Sequence, residues 1–114
     1  MAGKKNQAEL DTLLDSVINK VTSSMSVDKI ILFGSYAKGN ANDDSDIDIA
    51  VVSPDLSEHK AMFDNAIEVA QKSELYEPYV QLVAFPSKTY FEEKHISPSF
   101  IQEIKATGKV IYQV

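Results

Sequence analysis

The chain has 114 residues, 11 Lys+Arg against 17 Asp+Glu for a net charge of −6, 44% hydrophobic residues and no cysteine. That length fits one domain whose core can stand without staples. The missing cysteines exclude disulfides, thiolate metal sites and cysteine nucleophiles. The acidic balance argues against an extensive nucleic-acid surface. Apolar runs such as Ile30–Phe33 fall far short of a membrane helix. No apolar signal core follows the early lysines, and nothing points to an oxidising compartment, so the expected location is cytoplasmic.

In chain order, Met1–Gln7 is polar and aperiodic and reads as a flexible leader, with residues 8–114 as one continuous domain. From Ala8, the residues Leu10, Leu13, Leu14, Val17, Ile18 and Val21 share one helical face, and the helix is expected to end near Ser23–Ser26. Lys29–Phe33 reads as a buried strand closed by Gly34, and Asp46–Ser53 as a second strand. Asp55, with Glu58 three residues on, gives a capping-box pattern that predicts a helix with Met62, Phe63, Ala66, Ile67 and Ala70 on its buried face. Tyr79–Phe85 reads as a third strand between Pro78 and Pro86. A short helix around Lys88–Lys94 and a helix over Ser99–Ala106 follow, the latter with Gly108 as a left-handed cap, and Lys109–Val114 as a last strand. The connection from Gly34 to Ser45 is brief for a crossover helix. The expected fold is therefore α+β: a mixed sheet of about three to four strands with helices on one face, a two-layer α/β sandwich.

Two features stand apart from this scaffold. Gly34-Ser35 directly follows a strand, where a residue without Cβ lets the backbone turn sharply and approach a ligand closely. Free amides and a hydroxyl in such a turn suit phosphate oxygens, and Lys38 adds a cation nearby. Asp46 and Asp48 lie two apart on a strand, so both side chains leave one face, roughly 6–7 Å apart. Hard oxygen ligands at that spacing suit Mg²⁺. A solvated acidic strand face is the plainer reading, but side-by-side carboxylates repel and Asp is a poor strand former. An EF-hand loop from Asp44 fails at Ile49 and Asp55, and a P-loop fails because Asn40 and Ala41 follow Gly39. His59 and His95 have no spacing that links them to the Asp pair, and Met25, Met62 and the five phenylalanines read as core or near-core packing.

Together, ILFGSYAKG and SDIDIAVV resemble the minimal nucleotidyltransferases of the DNA polymerase β-like nucleotidyltransferase superfamily, with Ala37, Gly39 and Ser45 also matching. The ending with Ile104, Gly108 and Tyr112 is similar as well. The resemblance implies transfer of a nucleoside monophosphate from ATP or another NTP, with Gly34 and Ser35 holding the triphosphate and Asp46 and Asp48 binding Mg²⁺. It also implies a HEPN-type helical toxin as partner and acceptor, with this chain as the antitoxin. A chain of this length has no room for a further helical domain, so a separate partner fits; self-association stays open. One departure is evident. The family places a third acid on the next strand, and here Gln81 occupies that column, with Glu77 roughly 13 Å away along the strand. Glutamine brings no charge and cannot act as a base. The alternative expectation is a weak or inactive nucleotide-binding antitoxin.

Overall fold

The computed structural model describes residues 4–92 and 98–114. The first helix, α1 (Gln7–Ser24), starts one residue before the apolar pattern because Asn6 caps it. The Asn6 Oδ1 accepts from the Glu9 amide at 2.8 Å, and the Glu9 carboxylate accepts from the Asn6 amide at 3.0 Å. This capping box satisfies two otherwise free helix-end donors. Leu10, Leu14, Val17 and Val21 form the buried face of α1.

Strand β1 (Lys29–Phe33) leads directly into a one-turn helix, α2 (Gly34–Lys38), and strand β2 (Ile47–Ser53) follows. Helix α3 (Met62–Ser73), strand β3 (Val80–Pro86), helix α4 (Ser87–Glu92), helix α5 (Pro98–Thr107) and strand β4 (Lys109–Gln113) complete the chain. The sheet order is β3-β2-β1-β4. β1 is antiparallel to both β2 and β4, whereas β2 and β3 run parallel, so the sheet is mixed as expected.

Helices cover both faces of this sheet rather than one. Ile47, Ile49 and Val51 pack with Val17 and Val21 of α1 and Ala66 and Val69 of α3. Ala50 and Val52, on the opposite face, pack with Phe85, Tyr90, Ile101 and Ile104, which bring in α4 and α5. The reason lies in β2 itself: Ile49 through Val52 are all fully buried, a continuous apolar run that needs cover on both sides. The expectation of helices on one face is corrected by Ala50 and Val52, whose burial needs the second layer.

Three local expectations change. Asp55 does not cap a helix; its carboxylate accepts from the Ser26 amide at 3.0 Å. The helix begins only at Met62, after Ala61, with no side-chain cap. Gly108 is not left-handed, since Gly34 and Gly39 are the described glycines with positive φ. A Cβ on Gly108 would lie 2.5 Å from the Ile104 carbonyl oxygen and 2.6 Å from Ile31 Cγ2, so close packing of α5 on β1 is what calls for glycine there. Phe63 and Phe91 are not core residues; they are 52% and 49% exposed. His95 and the end of the Lys88–Lys94 prediction lie outside the described residues. Among the described residues, no helix is long and apolar enough to cross a membrane.

Candidate active site

The junction of β1 and α2 is shaped by one close approach. Gly34 has φ +73°, and a Cβ placed on it would meet Asp48 Oδ2 at 2.0 Å. Any other residue would therefore carry both a strained backbone and a steric overlap with the carboxylate. The contact follows from register, because Phe33 pairs with Asp48 across the β1–β2 ladder and Gly34 is the next residue. The spacing that set Gly34 and Asp48 apart in the sequence is thus a contact in the fold.

On its other side Asp48 pairs with Gln81 across the parallel β2–β3 ladder. In-register neighbours project to the same face of a sheet. Ala50, Val52, Val83 and Phe85 define that face as the one packed against α4 and α5. Asp48 and Gln81 stand at its end, Asp48 half-buried and Gln81 exposed. Asp46 immediately precedes β2 and is exposed. Burial, and then the negative charge of Asp46, hold the Asp48 carboxyl above its ordinary value. The second cause follows from the two-residue spacing that sends both side chains to one face.

No described cation stands within ion-pair distance of Asp46 or Asp48. Two mutually repelling carboxylates, one of them half-buried and neither neutralised, form a donor set that suits a hard divalent cation. The described residues bring no third carboxylate or imidazole into such a cluster. Glu77 instead opens the turn before β3, where its carbonyl accepts from the Val80 amide at 3.2 Å.

The connection between α2 and β2 is tightly folded. Gly39, with φ +79°, closes α2 in the left-handed conformation. Asn42 Oδ1 accepts from the Asp44 amide at 2.9 Å, and Ser45 Oγ accepts from the Asn42 amide at 2.9 Å. This Asx-type turn sets where Asp46 enters the strand. Ser35 is half-buried on the first turn of α2. The Lys38 ammonium lies 3.6 Å from Glu103 of α5 on an exposed surface, which ties α2 to α5.

Sequence reasoning did not single out Lys4, Lys5 and Tyr36 as neighbours of this loop. The Lys4 amide donates to Asp43 at 3.1 Å, and the Lys5 amide donates to the Tyr36 hydroxyl at 3.1 Å. The Lys5 ammonium sits 5.6 Å from the centre of the Tyr79 ring. An aperiodic polar segment gives no signal for such contacts, since they are made across the fold. His59 is exposed, and its amide donates to Ser57 Oγ at 3.1 Å.

The family model described as "Polymerase beta, Nucleotidyltransferase" matches residues 15–114. "Putative protein adenylyltransferase MJ0604" of Methanocaldococcus jannaschii is 37% identical over 86 residues, covering 75% of this chain and 79% of that protein. A solved toxin–antitoxin complex with AMP-PNP contains a chain that is 26% identical, with a TM-score of 0.59 over 88% of this chain and 73% of that one. A tri-AMPylated HEPN toxin in complex with MNT antitoxin, from Shewanella oneidensis, gives a TM-score of 0.55 at 23% identity over 91% and 72% of the respective chains. The mixed sheet with its helices is thus the fold of solved nucleotidyltransferase-type chains.

Proposed function

Because the chain belongs to the polymerase β nucleotidyltransferase family, we propose that it transfers AMP from ATP to a HEPN-type toxin, with Mg²⁺, and so acts as that toxin's antitoxin. The observation that carries this reading is the Gly34–Asp48 contact. It joins the phosphate-binding turn to the acidic pair in one small region. The adenylyltransferase name of the relative supports the reaction class. The toxin–antitoxin neighbours support the choice of acceptor.

In this reading Gly34, lacking a Cβ, lets the Asp48 carboxylate lie against the turn that holds the triphosphate, and Ser35 supplies a hydroxyl and amide to its oxygens. Asp46 and Asp48 would hold the metal; when bound it neutralises charge on the triphosphate as pyrophosphate departs. A bond forms between the acceptor oxygen and the α-phosphorus, the bond from that phosphorus to the bridging oxygen breaks, pyrophosphate leaves with its electron pair, and the acceptor gives up its proton to water. Gln81 cannot take that proton. The chain's contribution is mainly positioning and charge, the two demands that phosphoryl transfer makes.

A second reading is favoured by one observation. Gln81, the register neighbour of Asp48, brings no charge to the pair, which fits a nucleotide-binding antitoxin that transfers weakly or not at all. The test is incubation of the chain with labelled ATP, Mg²⁺ and any HEPN-type protein found in a neighbouring reading frame. Label on the toxin supports transfer. Toxin silenced with ATP bound but no label attached supports the second reading.

A further inference from the structure

Two side chains sealed from solvent each carry an oxygen with no hydrogen-bond partner among the described residues. Asn65 of α3 is 0% exposed and Thr89 of α4 is 2% exposed. The unpaired atoms are Asn65 Oδ1 and Thr89 Oγ1. Buried polar atoms are ordinarily paired, because an unpaired one forfeits the hydration it had in the unfolded chain. Both residues line one small cavity at the end of β3, together with Met62, Ala84, Phe85 and Pro86. Gln81, the register neighbour of Asp48, stands at the other end of that strand, so the cavity is separate from the acidic pair.

The chemistry of the lining says what is missing. The Asn65 Nδ2 donates to the Ser57 carbonyl at 3.1 Å, which leaves Oδ1 as the group still in need of a donor. The Thr89 hydroxyl has one proton to give and lone pairs to accept with. Lys60 also lines the cavity, but its ammonium pairs with Glu68 at 2.8 Å. Glu58, the other charged residue there, carries a carboxylate, which accepts and does not donate when ionised. The cavity measures about 10 Å³, room for one water molecule. A hard metal ion is a poor match, since Ca²⁺ takes about six to eight oxygens and two unpaired oxygens meet here.

We propose that this cavity is a binding site for a single buried water molecule, which donates to Asn65 Oδ1 and accepts from the Thr89 hydroxyl, joining α3 to α4. The position gives the bridge a purpose. Met62 packs with the layer of α4 and α5, whereas Ala66 packs with the layer of α1. Asn65 lies between those two residues on α3, where the helix layers meet around the outer strand β3. Two layers that share few side chains are thus held together by one molecule of solvent, which satisfies both oxygens at once. The site stands whether or not the chain transfers AMP.

The test is a high-resolution crystal structure of the chain, joined to proton NMR in solution. One ordered water within hydrogen-bond distance of both Asn65 Oδ1 and Thr89 Oγ1 is expected. A cross-peak between water and the Ala84 methyl group should accompany it, with the sign that marks slow exchange. Thr89→Ser keeps the hydroxyl and should retain both signals. Thr89→Val keeps the volume, removes the hydroxyl and should lose the cross-peak. No ordered water at that position overturns the assignment, whether or not Thr89 then bonds directly to Asn65. Density with the ligand set of a metal ion overturns it as well. A cross-peak of wild-type strength in Thr89→Val overturns the bridge to α4. Should Thr89→Val fail to fold, the wild-type structure and Thr89→Ser still decide.

Discussion

The Gly34 backbone lies so close to the Asp48 carboxylate that a single added carbon on Gly34 would fall 2.0 Å from Oδ2. Gly34→Ala should therefore displace Asp48 and strain a backbone held at φ +73°. Loss of stability of about 1–3 kcal/mol is expected, together with weakened Mg²⁺-dependent nucleotide binding. Denaturant unfolding and ATP titration check the two effects. A folded Gly34→Ala chain with wild-type ATP affinity would remove the turn from the site.

Gln81 sets the second prediction. At an effective dielectric of 20 and ~4 Å, a carboxylate in its place would gain on the order of 4 kcal/mol against one metal charge. Gln81 is exposed, so screening and desolvation reduce the realised gain to about 1–2 kcal/mol, or roughly 5- to 30-fold in rate. Gln81→Asp should accordingly tighten Mg²⁺ binding and raise transfer, while Gln81→Ala should change little. Transfer rate against Mg²⁺ concentration decides it, and identical curves for wild type and Gln81→Asp would show that the side chain does not serve the metal.

The third prediction concerns pH. Burial and the Asp46 charge raise the Asp48 carboxyl above 3.8 in the folded chain, so the folded state binds its proton more tightly than the unfolded state does. Its ionisation then costs stability, fully above the raised value and not at all below 3.8. Without metal, Asp48→Asn should melt at a higher temperature than wild type near pH 7, with the gap closing as pH falls toward 4. Excess Mg²⁺ should stabilise the wild type but not the variant. A gap that is independent of pH would assign the difference to packing.

Gly108 separates two explanations of one glycine. A left-handed cap would tolerate asparagine better than alanine. The contacts with Ile104 and Ile31 predict the reverse: Gly108→Ala costs about 1–3 kcal/mol, and Gly108→Asn, being larger, costs more. Chemical denaturation of the two variants gives the order directly.

Much of this protein is written locally. The stripe Leu10, Leu14, Val17 and Val21, the strand Lys29–Phe33 and the turn at Gly34 each follow from neighbours in sequence, because helix and strand periods and glycine's missing Cβ act over a few residues. The motif joining Gly34-Ser35 to Asp46 and Asp48 marked the family for the same reason: residue types and their order are read directly from the chain. The tertiary structure decided what depends on register and layering. It placed Gln81 beside Asp48 and drew the Asp48 carboxylate against Gly34. It gave β2 helices on both faces, since burial of Val52 requires a layer supplied by α4 and α5, far along the chain. It also turned Asp55 from an expected cap into the acceptor of the Ser26 amide and left Phe63 and Ile67 in solvent. A side chain's hydrogen-bond partner or exposure is set by whatever the rest of the fold brings to it, and no local pattern carries that information.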